Sequence, residues 1–211
     1  MSDEIILIPA FNEYKSLKYL LKKISFKVLI INDASTDKTK KLSSRSNVEI
    51  VTNPKNLGYE KSLIKGFKFI KKKYPKTKSV ITFDADGEHY PSDLSKLIRF
   101  QKKVNADLVI CNRKELNRFL EKILNYLFLI KVKIRDPLSG FKLYKFKSLK
   151  KNLDFIKTDQ YLTEIINIYK IRNYKIENFP IKCKKLKNRD RRVGNFTPNY
   201  KIFKSILKNL I

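Results

Sequence analysis

Asp84 and Asp86 stand at the end of the most chemically suggestive stretch of this chain, Ile81-Thr82-Phe83-Asp84-Ala85-Asp86-Gly87-Glu88-His89. An apolar run stops abruptly in two carboxylates two residues apart, with a third acid and a histidine just beyond. In an extended strand, residues i and i+2 point to the same side. Two acids presented that way repel each other unless a cation or hydrogen-bond donors compensate. A hard divalent cation takes oxygen ligands, and phosphate oxygens complete its shell. The pattern predicts metal-assisted chemistry on a diphosphate-bearing substrate. The rival reading is a solvated turn, since Asp-Gly is turn-prone; the wholly apolar strand before it favours the metal.

Other polar residues stand where apolar runs end. Asp33 follows Val28-Leu29-Ile30-Ile31-Asn32 and precedes Ala34-Ser35-Thr36-Asp37. Helix capping accounts for Ser35 or Thr36. It leaves Asp33 without a structural task, so its carboxylate is expected to accept from a base or ribose. Glu13, after Pro9-Ala10-Phe11-Asn12, fits a first-turn acid favoured by the helix dipole and equally an acceptor for a ribose hydroxyl. Asn56-Leu57-Gly58-Tyr59 reads as a loop wrapping a ligand, or as a plain turn at Gly58. In Asp136-Pro137-Leu138-Ser139-Gly140-Phe141 the proline fixes the backbone after Asp136, and Gly140 permits close approach. Asp136 there fits a group orienting an acceptor or sugar hydroxyl; a capped turn is the alternative. Arg113, Arg118, Arg135 and the run Arg189-Asp190-Arg191-Arg192 offer planar forks for phosphate, or belong in part to a charged surface.

The elements that must position these residues read as repeated strand–helix units. Strands are predicted at Glu4–Ile8, Lys27–Ile31, Val48–Val51, Val80–Phe83 and Asp107–Cys111. Helices are predicted at Tyr14–Ile24, Asp37–Ser44, Tyr59–Lys73 and Pro91–Lys103. That alternation implies an α/β fold with a largely parallel sheet covered by helices. Ligands in such sheets bind outside the carboxyl ends of the strands. Pro9–Glu13, Asn32–Ala34, Asp84–Asp86 and Asn112-Arg113 all fall there. The rhythm then breaks: a long greasy helix over Leu116–Lys131, a loop entering a strand over Ile134–Leu143, a helix over Thr158–Tyr169 with Asp159 near its start, a strand over Lys175–Ile181, and a basic loop over Lys182–Thr197. An amphipathic helix closes the chain, to dock on the core or to lie in a membrane interface. The expected organisation is one domain, with a nucleotide-handling half at 1–112, an acceptor-handling half at 113–197 and a final helix at 198–211.

With 211 residues the chain can bury one sizeable core. Its 48 basic and 20 acidic residues give a net charge of +28. That excess suits a polyanionic partner such as nucleic acid, an anionic membrane or a phosphorylated substrate; a lysine-biased composition accounts for it equally well. Acids at the strand ends argue against nucleic acid. Cys111 and Cys183 have no metal-ligand spacing and read as reduced thiols of a cytosolic protein. The first apolar run is too short for a secretory leader, and no segment is long enough to span a bilayer.

Taken together, Ile8–Glu13, Ile31–Asp37, Asn56–Tyr59, Asp84–Pro91, Asp136–Phe141 and Ile176–Ile181 resemble the family 2, GT-A-fold glycosyltransferases, and within them the dolichyl-phosphate mannose synthase-like branch. The resemblance implies that Pro9, Ala10, Phe11, Glu13, Asp33, Asp84 and Ala85 hold a nucleotide. Asp84 and Asp86 then form the DxD pair facing the diphosphate and Mg2+ or Mn2+, joined by Glu88, where relatives often carry glutamine. Arg113 matches an arginine after the fifth strand. Arg192 and Gly194 match a basic loop over the phosphates, and Glu60 replaces a glycine. The implied activity is inverting transfer of a sugar, mannose or glucose, from a GDP- or UDP-linked donor to a polyprenyl or dolichyl phosphate at the cytosolic membrane face. Arg113, Arg135, Ser139, Arg189 and Arg192 would gather the acceptor phosphate. A hydroxyl acceptor would instead need a base, Asp136 or Asp159. Nucleotidyl transfer and nucleic-acid binding are the more distant alternatives.

Overall fold

The computed structural model describes residues 3–44, 46–116, 118–156, 160–184, 200, 202–204 and 206. Its elements in chain order begin with β1 (Glu4–Ala10), α1 (Tyr14–Leu21), β2 (Lys27–Asn32), β3 (Val48–Thr52), α2 (Tyr59–Lys73), β4 (Ser79–Thr82) and α3 (Ser92–Val104). They continue with β5 (Leu108–Arg113), α4 (Phe119–Val132), β6 (Lys142–Lys145), α5 (Phe146–Asn152), α6 (Tyr161–Ile171) and β7 (Ile176–Ile181). The stretch expected as a helix at 37–44 is a 3-10 helix over Lys38–Ser44.

Among the described residues seven strands form one sheet in the order β3-β2-β1-β4-β6-β5-β7. β6 runs antiparallel to its neighbours β4 and β5, and every other pairing is parallel. The α/β expectation holds. β6, from the second half of the chain, inserts between two strands of the first half, so one sheet runs through both.

Strand alternation divides the core between the two sheet faces. Ile5 and Leu7 of β1 join Leu63, Phe67 and Ile70 of α2, Leu124 and Phe128 of α4, and Tyr161, Ile165 and Tyr169 of α6. Ile6 and Ile8 join Leu17, Leu20 and Leu21 of α1 and Leu94 and Leu97 of α3. α2 lies close on β1: a Cβ at Gly66 would fall 2.4 Å from Leu7 Cδ1. Near the C-terminus, Ile202 and Ile206 are buried in the first of these cores. Those two residues therefore support the core-docking alternative for the final helix.

The topology carries the site. β1, β2, β4 and β5 point the same way, so their carboxyl ends share one edge. Because β6 runs backwards, the loop 136–141 that feeds it enters at that same edge. Among the described residues six non-glycine positions have left-handed backbone. Asn105 and Lys133 cap α3 and α4, and Asn173 follows α6, all common places for that conformation. The others, Asn12 (φ 56), Ala34 (φ 58) and Asp136 (φ 51), sit in the loops of the shared edge, where strained backbone tends to mark function.

Candidate functional site

Past β4 the chain keeps alternating. Phe83 and Ala85 are buried in the second core, while Asp84 and Asp86, alternating with them, are half-buried. Both Asp84 oxygens are engaged: Tyr59 Oη, from the first turn of α2, donates to Oδ1 at 2.7 Å, and His89 Nε2 lies 3.1 Å from Oδ2. His89 is 3% exposed and packed against the rings of Phe83 and Phe141. Its Nδ1 lies 3.6 Å from Cys183 Sγ. Burial alone would lower the His89 pKa; the hydrogen bond to Asp84 and the Cys183 contact outweigh it and push it up to about 10. Burial likewise works to raise Asp84, and His89, Tyr59 and the charge of Arg113 bring its carboxyl below the ordinary value. Asp84 is thus an ionised, oriented carboxylate. Asp86 Oδ1 accepts from the Glu88 backbone N–H at 2.9 Å.

Gly140 lies against this carboxylate. A Cβ there would fall 2.4 Å from Asp84 Oδ1 and 2.4 Å from Tyr59 Oη, so the close approach read from the sequence is made to Asp84 itself. Thr82 Oγ1 donates to Gly140 O at 2.6 Å and holds the loop down.

Asp136 is paired with Arg113. Arg113 Nε donates to Oδ2 at 2.8 Å, Nη2 to Oδ1 at 2.9 Å, and the Arg113 backbone N–H to Oδ2 at 3.0 Å. Asp136 is 2% exposed, and its own N–H donates to Asn125 Oδ1 of α4 at 2.7 Å. The sequence suggested separate roles for these two residues; the fold makes them one bidentate ion pair. Burial would lower the Arg113 pKa, and Asp136 and Glu121 more than offset it. Removing either partner of such a buried pair costs about 3–5 kcal/mol.

Asp33 has the structural task the sequence did not reveal. Its Oδ1 accepts from Asn53 Nδ2 (2.7 Å) and Leu57 N (2.8 Å), and its Oδ2 from Gly58 N (2.8 Å). The 56–58 loop therefore wraps a protein carboxylate. Beside it, Asn12 Oδ1 accepts from the backbone N–H of Thr36 and Asp37, lacing the β1 and β2 loops together. Asn12, Glu13, Thr36 and Asp37 line an open depression there. Pro9 and Ala10 are buried in β1, Ala85 is buried after β4, and Phe11 is 40% exposed.

The remaining expected residues divide. Ser139 is buried, and its hydroxyl bonds within its own turn, to Phe141 N and O. Arg135 is exposed, and its backbone is tied to Asn178. Arg118 pairs with Glu121 at 3.6 Å. Asp159, Arg189, Arg192 and Gly194 lie outside the described residues.

Two contributors escaped the sequence reading. Lys142 is completely buried on β6, its Nζ donating to Pro137 O (2.7 Å) and Leu162 O (3.2 Å). Burial pushes its pKa down to about 7 against the pull of Asp136, Glu60 and Asp84. Glu60 Oε2 accepts from Leu162 N at 3.0 Å, so the Leu162 backbone is held at both its N–H and its C=O. Flanked by apolar Phe141 and Leu143, a lysine at position 142 reads as the outward residue of a half-buried strand.

Among the described residues no group of three or more His, Cys, Asp or Glu could hold a metal ion by itself. The donor set nevertheless suits a cation of the Mg2+ type. Such an ion is commonly bound by one or two carboxylates with substrate phosphates and water supplying the rest, and Asp84 and Asp86 are oxygen donors beside an open edge.

The model for "Glycosyl transferase family 2" matches residues 5–153. A protein of Methanocaldococcus jannaschii, itself uncharacterised, is 29% identical, the match covering 99% of this chain and 93% of that one. A dolichol-phosphate mannosyltransferase of Pyrococcus furiosus is 27% identical over 64% of this chain and 44% of its own length. Among solved structures, glucosyl-3-phosphoglycerate synthase of Mycobacterium tuberculosis in complex with Mn2+, UDP-glucose and phosphoglyceric acid matches with a TM-score of 0.74 at 14% identity, covering 98% of this chain and 79% of that one. The likeness is one of fold, the GT-A fold.

Proposed function

The chain belongs to glycosyl transferase family 2, and from that premise we propose that it moves a sugar from a nucleoside-diphosphate sugar to a polyprenyl phosphate. The observation that carries this reading is the meeting of a fixed carboxylate, Asp84, and an arginine, Arg113, at one sheet edge. The ionised Asp84 lies within electrostatic reach of Arg113, which Asp136 holds in place. The dolichol-phosphate mannosyltransferase among the relatives supports the acceptor class.

The depression beside Asn12, Glu13, Thr36 and Asp37 receives the nucleoside, with Asp33 holding the loop 56–58 in place next to it. Asp84 and Asp86, with Glu88 alongside, would hold a divalent cation, Mg2+ or Mn2+. When bound, that ion neutralises charge gathering on the departing diphosphate. Tyr59 and His89 fix the Asp84 carboxylate before substrate arrives, so no reorganisation is needed during the reaction. Arg113 attracts the acceptor phosphate. Both Asp136 oxygens are occupied by Arg113, which leaves Asp136 poorly placed as a general base. A phosphate acceptor, already ionised at neutral pH, needs none. A single in-line displacement inverts the anomeric carbon.

A donor panel of GDP- and UDP-sugars, with and without Mn2+, tests the proposal. Polyprenyl phosphate, phosphoglycerate and free sugars serve as competing acceptors. The expected result is metal-dependent release of a nucleoside diphosphate with polyprenyl phosphate only. Asp86→Ala should lower kcat about 100-fold or more, the scale of losing one preorganised electrostatic contact. Undiminished transfer in the Asp84→Ala/Asp86→Ala double variant, or a retained α-linkage from an α-linked donor, overturns the reading.

A further inference from the structure

The helix that braces the Arg113–Asp136 pair also shows the most exposed apolar side chains near the site. On its inner side α4 buries Leu124 and Phe128. Along the neighbouring polar edge, Asn125 accepts from Asp136 N, and Glu121 lies 3.9 Å from Arg113 and 3.6 Å from Arg118. Its opposite side carries Phe119, 75% exposed, with Tyr126 and Ile130, each 62% exposed. At 100° per residue these three fall within about 40° of one another. Ile123 and Leu127, half-buried, widen the same stripe. Exposed Lys122 flanks it on one side and exposed Lys131 on the other, with exposed Lys133 and Arg135 just past the helix end.

We infer that this face of α4 is the surface on which the chain rests against an anionic lipid bilayer, a conclusion that rests on the polyprenyl-phosphate reading above. The charge pattern selects the occupant. An apolar stripe with aromatic residues, bordered on both sides by lysine, matches a helix lying in the plane of a membrane interface, rings and aliphatic groups in the acyl boundary and ammonium groups among lipid phosphates. A second protein surface would have to supply acids along both borders; this chain, at +28, is poor in them. The helix cannot cross: its 14 residues span only about 21 Å, and among the described residues no helix is long and apolar enough to do so. In-plane docking of α4 sets Arg113 and Asp136 one helix diameter, about 10 Å, from the lipid headgroups. That is where an acceptor phosphate on a membrane-embedded tail would emerge.

The test is flotation of the full chain with phosphatidylcholine vesicles containing 30% or no phosphatidylglycerol, alongside transfer to a short-chain, water-soluble polyprenyl phosphate. Wild type should float with the anionic vesicles. Phe119→Ser/Tyr126→Ser/Ile130→Ser should need at least tenfold more lipid, and Lys122→Glu/Lys131→Glu should lose the preference for anionic lipid. Both variants should glycosylate the soluble acceptor at the wild-type rate, which shows that they are folded. Wild-type protein that glycosylates the soluble acceptor and ignores vesicles overturns the docking surface and leaves the acceptor reading standing. Vesicle binding without transfer to any polyprenyl phosphate overturns the acceptor reading. Unchanged flotation of the triple variant, or a wild-type dimer in solution that this variant dissolves, also overturns the surface.

Discussion

Lys142 and His89 are two buried bases whose protons move in opposite senses on folding. Lys142 is driven down to about 7 by burial, while in the unfolded chain a lysine titrates near 10.4, on the order of its free value. Between those limits the unfolded state holds a proton the native state lacks, so this group makes stability rise with pH. His89, held at about 10 chiefly by Asp84 once burial is overcome, keeps a proton that the unfolded chain releases near about 6.5. Its contribution is complete below that pH and is lost as pH climbs through about 10. The two slopes oppose each other over nearly the same window. Lys142→Met, of similar volume and without a titrating group, removes the rising one. Relative to wild type, its stability should therefore fall from pH 7 to pH 10, by no more than about 1.4 kcal/mol per pH unit. Urea unfolding of the metal-free protein at pH 7, 8.5 and 10 and constant ionic strength measures this; parallel curves for the two proteins would show that Lys142 keeps its proton in the fold.

At the scale of elements, α6 begins without a side-chain cap of its own. Its second residue, Leu162, is capped from another helix by Glu60. A carboxylate at a helix N-terminus satisfies an orphan N–H and complements the dipole. Glu60→Ala should cost about 1 kcal/mol, in the range of N-cap removals, with Glu60→Gln keeping most of the loss at bay; equal Tm values for Glu60→Ala and wild type would remove the cap from the account. Glu60 also shows where the sequence stops being legible. α2 is legible residue for residue, because Leu63, Phe67 and Ile70 mark its inner stripe. The alternation of Asp84 and Asp86 with Phe83 and Ala85 was readable for the same reason: period is a local property. α5 was not foreseen, since seven residues with Phe146 and Leu149 as the apolar contacts carry no period worth the name. The reversed direction of β6 leaves no local trace either. The site's pairings were equally silent. Tyr59 with Asp84, Asp33 with Leu57 and Gly58, and Arg113 with Asp136 join residues 23 to 25 apart, and Glu60 reaches Leu162 across 102. Each partner alone fits a ligand-binding role, and only the fold shows that Asp33 and Asp136 first hold protein.

For the molecule as a whole the governing quantity is charge. The net +28 is uneven, +9 over residues 1–100 and +19 over residues 101–211. Exposed ion pairs such as Lys78–Asp3 and Lys71–Asp154 contribute little, because water screens them and ordering two long side chains costs entropy. With more than two basic groups for every acid, repulsion between unpaired cations outweighs them. Both effects are screened together, over a Debye length that shrinks from about 30 Å at 0.01 M salt to about 10 Å at 0.1 M. Relief of long-range repulsion, summed over the surface, exceeds the weakening of a few short contacts, so the compact state gains. Tm should accordingly rise by several degrees when NaCl is raised from 0.01 to 0.1 M, a range low enough that salting-out of apolar surface plays little part. A scanning calorimetry series at pH 7 decides it. A falling Tm would mean that the paired lysines dominate, and that the excess charge is too widely spread to repel itself or to favour an anionic surface through anything but its local clusters.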